Sequence, residues 1–290
     1  MTENEPDLNK WSRILFYFWC YTLVVILWGA WVRISHSGNG CGNHWPLCDG
    51  AIIPTGGGHK TWIEYAHRLM SGSYGLLVIY LFFKLRKLKS TRVFQILNVA
   101  LVILMITEGG IGALLVKGQL VTENDSVARL IVMSFHQLNS FLLTGVTYVM
   151  YLFVQHPQSS LNTTKKYTLF LFLLLPLTGA IASLSTTLFP SISLWQGIVD
   201  DFSGDQHLFI RLRALHPILA VLIALSFAYG LHLKNQTRLA LEFLGAVMIG
   251  IFTLMTLSPV ILKLIHLLIA HFLWSRLLQM FVSFPDSSKR

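Results

Sequence analysis

Eight stretches, residues 14–34, 62–83, 93–116, 127–154, 167–187, 208–231, 239–257 and 260–282, are apolar over the length a helix needs to cross a bilayer. A hydrocarbon core of roughly 30 Å takes about 20 residues at helical rise, and every backbone amide inside it has to be satisfied within its own segment. A chain of 290 residues that is 54% hydrophobic and 12% charged exceeds what a soluble core can hide. The sequence therefore reads as an all-α polytopic membrane protein of eight transmembrane helices with the lipid bilayer as its solvent. Residues 239–282 are too long for one span, and Ser258-Pro259 supplies the break for a tight hairpin.

The formal net charge of +9 would suit a nucleic-acid binder, but its distribution does not. Lys10 and Arg13, then Lys84, Arg86, Lys87, Lys89 and Arg92, then Lys165 and Lys166, then Lys234 and Arg238, and finally Lys289 and Arg290 fall on alternate loops. By the positive-inside rule these loops and both termini are expected to be cytoplasmic, in a multi-pass protein of the cell membrane. The opposite loops carry Glu123, Asp125, Asp200, Asp201 and Asp205, as an exterior face would. The first apolar run has a polar, partly acidic leader and no small-residue cleavage site, so it reads as a retained helix.

The spans divide into two groups of four, residues 1–154 and 167–290, joined by the polar segment QHPQSSLNTTKK at 155–166. A weak repeat relates them: span one ends in GAWVRIS and runs on to PLCDG, span five ends in GAIASLS and runs on to SLWQG, and each is followed by a histidine-bearing span. Cys41 and Cys48 share the first exterior loop, where either a disulfide or two free thiols is open, whereas Cys20 lies inside span one as a small core residue.

Of eleven histidines, His36, His44, His59, His207, His156 and His232 sit in loops or at span ends. His67, His136, His216 and His266 each lie on an even-numbered span, about 8–14 Å below the outer surface at helical rise. A single intramembrane histidine is ordinarily a hydrogen-bonded packing residue. Four at one depth on parallel spans point instead to two haem sites, because facing imidazoles from neighbouring helices hold a six-coordinate haem iron. Zinc or copper competes less well, since HExxH, an intramembrane cysteine pair and clustered carboxylates are all lacking in these spans. Ser71, Gly72 and Gly75 after His67, and Ala270 after His266, would let backbone approach a flat macrocycle or serve plain helix packing. His271 lies five residues beyond His266 and so on another face; His266 is preferred for its depth.

Glu64, one turn before His67 in EYAHR, has four open roles: orienting an imidazole, pairing with Arg68, moving protons, or a plain interfacial ion pair. Glu108, deep in span three, is expected to be protonated or paired. Arg211 and Arg213 precede His216, either to grip haem propionates or to snorkel to headgroups.

On these residues the chain resembles the haem A synthase family, membrane enzymes that convert haem O to haem A for cytochrome oxidases. The carriers are GAWVRISHSG with the exterior Cys41, Cys48 and WPLCDG, EYAHR with Glu64 and His67, FHQLNSFLL with His136, RLRALHPILA with His216, and the eighth span with His266. Nearly the whole chain is covered. The resemblance implies two pseudo-symmetric four-helix bundles, haem b ligated by His216 and His266 in the C-terminal one, and substrate haem O served by His67 and His136 in the N-terminal one. It further implies that Glu64 assists oxidation of a ring methyl to a formyl group, and that haem O synthase and cytochrome oxidase subunits are partners. Glu108 departs from the pattern, standing where a neutral polar residue is expected. A non-catalytic haem carrier or assembly factor, and a di-haem electron-transfer cytochrome, would need the same histidines.

Overall fold

The computed structural model describes residues 8–88, 90–157, 159–161 and 166–283. Lys89, Lys165, Lys289, Arg290, residues 162–165 of the expected connector and the leader before residue 8 lie outside the described residues. The eight apolar stretches form eight helices long and apolar enough to cross a membrane. Spans one to four are α1 (Leu8–Ile34), α2 (His59–Leu85), α3 (Arg92–Lys117) and α4 (Val127–Gln155). Span five is α5 (Lys166–Leu188), followed by a short surface helix α6 (Leu194–Phe202). Span six is broken into α7 (Leu208–Arg213) and α8 (Leu215–His232), and α9 (Thr237–Met255) and α10 (Val260–Gln279) complete the set.

Local chemistry accounts for the boundaries. Thr91 and Ser126 cap α3 and α4 by accepting the amides of Phe94 and Arg129. The break at Ala214 is explained by Pro217, whose ring conflicts with the carbonyl four residues back, that of Arg213. Between α9 and α10 the chain turns through Leu257 and Ser258, both with φ of +59°, and Pro259 opens the next helix. The expected hairpin is thus present. The connector is less loose than its polarity suggests: β1 (Ser160–Leu161) pairs antiparallel with β2 (Val282–Ser283), tying the connector to the chain after α10.

All even-numbered spans run away from the end of the molecule that carries the Cys41–Cys48 loop, called here the disulfide end. One apolar core lies among α1 to α4, around Leu15, Val78, Leu101 and Met150. A second lies among α5, α8, α9 and α10, around Phe172, Phe243 and Trp274, and takes in Phe141 from α4. Helices α1, α4, α5 and α10 meet at the centre. Of the eight spans α4 is the most enclosed, with 72% of its apolar window buried by protein, so the lipid-facing surface belongs to the others.

Candidate functional site

A cavity of about 260 Å³ opens between α5, α8, α9 and α10, with α1 and α4 at its edge, and is overwhelmingly apolar. His216 and His266 face each other across it with ring centres 6.2 Å apart and planes at 76°. Three local features aim these rings. The hydroxyl of Thr178 on α5 lies 3.0 Å from the Leu174 carbonyl and is hydrogen-bonded to Nδ1 of His216 at 3.2 Å, so Nε2 is the ring nitrogen outside that bond. A Cβ at Gly179 would stand 3.2 Å from Cε1 of His216, and a Cβ at Gly250 would stand 3.0 Å from Cε1 of His266, so each ring packs tightly against a glycine and a methyl there would press on it. Nδ1 of His266 is buried without a partner.

These observations test the fit of a haem. A metal–imidazole bond of about 2.0 Å puts each ring centre roughly 3 Å from the ion, so two axial rings stand about 6 Å apart, as this pair does. Among the described residues no three His, Cys, Asp or Glu side chains gather as a closed zinc or copper site requires. A donor pair across an apolar cavity suits a macrocycle that brings its own equatorial ligands.

His67 and His136 lie toward the disulfide end of α2 and α4, eight and nine residues into their spans. Nδ1 of His67 is buried without a partner, and the ring rests on Gly29 of α1, whose added Cβ would come within 2.8 Å of Cε1. Gly29 and Gly179 are the same position of the GAWVRIS and GAIASLS repeat, so in both halves the repeat's glycine receives the histidine of the next span. Of the small residues that follow His67, Gly72 faces open space and a Cβ at Gly75 would make an ordinary 3.6 Å contact with Met105. Nδ1 of His136 is buried without a hydrogen bond and stands 3.4 Å from a carboxylate oxygen of Glu108, and Asn139 donates to the other oxygen of Glu108 at 2.7 Å and to the Leu104 carbonyl at 2.9 Å. Glu108 is therefore paired, as its depth demanded.

His271 belongs to neither pair. Fully buried, it stacks on Phe141 at 3.9 Å and holds Thr144 through Nδ1 at 3.0 Å, bridging α10 to α4.

Glu64 is buried, and its carboxylate is fully engaged: one oxygen accepts the Cys41 amide at 2.9 Å, the other accepts Nε and Nη2 of Arg68 at 3.1 and 2.5 Å. Arg68 also donates to the carbonyls of His44 and Leu47. Cys41 and Cys48 form a disulfide and are buried, so the loop packs onto the start of α2 instead of standing clear of the bundle.

Arg213 reaches the cavity wall, where it pairs with Asp201 of α6 and donates to the Gly197 carbonyl at 2.9 Å. Burial pushes the Asp201 carboxyl above its ordinary range, and the bonded Arg213 guanidinium opposes that rise. Arg211 is exposed and does not line the cavity. Two wall cations escaped the sequence reading. Arg33 of α1 donates to Ser183 at 3.1 Å, and Lys263 of α10 donates to Thr187 at 3.3 Å. For Arg33 the available signal was its place in the repeat, opposite Ser183.

Fold and site together define a polytopic helical membrane protein in which two imidazoles, His216 and His266, face each other across an apolar cavity between its spans. The chain belongs to the COX15-CtaA family, described as cytochrome oxidase assembly protein, whose family model matches residues 12–59 and 55–278. It is 46% identical over 92 residues to the heme A synthase of Alkalihalophilus pseudofirmus, covering 31% of each chain. It is 54% identical over 56 residues to the heme A synthase of Bacillus mycoides, covering 19% of this chain and 18% of that one. It is 29% identical over 286 residues to a protein of Thermus thermophilus named protoheme IX farnesyltransferase, covering 91% of this chain and 47% of that one. The chain thus spans about half the length of the Thermus relatives it matches.

Proposed function

We propose that the chain is a haem A synthase, an oxidoreductase that converts the ring methyl of haem O to the formyl group of haem A for cytochrome oxidase assembly. The observation that carries this reading is the repeated seating of a histidine against the repeat's glycine, Gly29 with His67 and Gly179 with His216. It supports two macrocycle sites in two related four-helix halves, one for a resident haem b and one for the substrate. Relatives named heme A synthase support the reaction, and the Thermus relative's name, protoheme IX farnesyltransferase, fits a haem O synthase as the supplying partner.

In this reading His216 and His266 would hold haem b, and the Thr178 hydroxyl bonded at Nδ1 would leave Nε2 of His216 to bind the iron. Bound haem supplies the electron-transfer and oxidative chemistry, which side chains do not. The chain's own part is to hold, orient and move protons. His67 and His136 hold the substrate macrocycle. Glu108, beside His136 and steadied by Asn139, is the carboxylate placed to exchange a proton with that imidazole. Glu64 serves the site by fixing the disulfide loop over the start of α2, one turn from His67, and its charged carboxylate is the second proton-handling candidate. Arg213 is held by Asp201 beside the haem b cavity, and Arg211 faces outward. The disulfide end is exterior and both termini are cytoplasmic, following the alternation of basic and acidic loops.

The test is expression with a haem O source, followed by extraction and mass analysis of the haems. Haem A in the extract is the expected result. Unchanged haem O with both haems bound would support a carrier or a di-haem cytochrome instead.

A further inference from the structure

We propose that Arg33 and Lys263 form a carboxylate-binding site at the edge of the His216–His266 cavity, so that an anionic group of the cavity's macrocycle is gripped jointly by α1 and α10. The proposal rests on the reading of that cavity as a haem site and adds which residues hold the ligand's acidic edge.

Both cations line the cavity, and among the described residues neither has an ion-pair partner. Arg33 donates to the Ser183 hydroxyl, while its Nε is buried without a partner. Lys263 donates to Thr187, one turn beyond Ser183 on the same face of α5, so the two cations sit on adjacent turns of one helix. The wall's carboxylate, Asp201, is already taken by Arg213. Two like charges held close together beside an apolar cavity repel each other and cost free energy unless an anion joins them.

Helix dipoles offset only one of them. Arg33 lies in the last turn of α1, where a cation is favoured. Lys263 lies in the first turn of α10, where the N-terminal dipole is positive and disfavours it. Its presence there is explained by a ligand that is negative at this point. A porphyrin whose iron sits between His216 and His266 carries such carboxylates at its edge. A planar carboxylate accepts from guanidinium and ammonium together in short, charge-assisted bonds. Arg33 comes from the half that bears His67, so the ligand would also fasten that half to the one that bears its iron.

The experiment titrates the haem-depleted full-length protein in detergent with ferric protoporphyrin IX and with its dimethyl ester, whose carboxylates are blocked, following the low-spin absorption. Wild type should bind the diacid at least about tenfold more tightly than the ester. R33Q/K263Q should form the low-spin species with both ligands but lose that preference. R33Q and K263Q alone should show intermediate ratios, R33K should keep most of it, and R211Q should match wild type. An undiminished preference in R33Q/K263Q would overturn the proposal while leaving the haem site standing. No low-spin species in wild type with either porphyrin would overturn the haem reading, and the proposal with it.

Discussion

At the scale of single residues, the histidines divide by what their rings touch. His216 and His266 face a shared cavity, whereas His271 is consumed by Phe141 and Thr144. On the proposed haem reading, His216→Ala or His266→Ala is expected to abolish the low-spin spectrum of the purified protein, because the iron would lose a ligand. His271→Ala should keep that spectrum and lower the melting temperature instead, and absorption spectra of the three variants decide it. The glycines offer a finer probe. A methyl group at Gly29 would lie 2.8 Å from the His67 ring, closer than carbon atoms pack, so Gly29→Ala must displace the imidazole. Haem A production should fall by an order of magnitude or more in G29A while the cavity haem is retained, as measured by haem extraction against the absorption spectrum.

At the scale of elements, the start of α2 and the disulfide loop act as one piece. Glu64 and Arg68 are one helical turn apart, and together they satisfy the Cys41 amide and the carbonyls of His44 and Leu47. Glu64→Gln keeps the shape and removes the charge. Weakening a hydrogen bond to a charged group costs about 1.5–3 kcal/mol, so E64Q should melt several degrees lower, with haem content preserved and turnover reduced. Thermal unfolding and haem analysis on the same preparation measure both. On the proposed haem reading, Cys41→Ser or Cys48→Ser should leave the cavity haem in place, because neither cysteine lines that cavity. The loop also reports orientation. An impermeant thiol reagent added to reduced spheroplasts should label Cys41 and Cys48 without permeabilisation; labelling only after permeabilisation reverses the proposed sidedness.

At the scale of the molecule, α4 packs against both α5 and α10. The Trp274 indole donates to the Phe141 carbonyl at 2.8 Å, and a Cβ at Gly145 would stand 2.6 Å from that same indole nitrogen and 2.7 Å from Leu278. The close approach permitted by one glycine is how membrane helices associate without a hydrophobic drive between them. Gly145→Ala would overpack this contact and should destabilise the protein by about 1–3 kcal/mol, read as a lowered melting temperature with both histidine pairs chemically intact.

The sequence by itself determined the eight spans, the hairpin at Ser258-Pro259 and the need for Glu108 to have a partner. These follow from constraints that act along one helix: bilayer thickness, helical rise, proline geometry and the cost of burying a charge. Even the repeat was legible, as two heptapeptides beginning in Gly-Ala. What the repeat was for was not, since only tertiary packing shows Gly29 and Gly179 each receiving a histidine from another helix. The same holds for Glu64, whose partner Cys41 is 23 residues away, and for Arg33 and Ser183, 150 residues apart. Arg211 and Arg213 look alike in sequence, yet the break at Ala214 and the position of α6 bury one and expose the other. A side chain's chemistry is local, but its partners are set by how helices pack across the molecule, and that arrangement is a property of the whole chain.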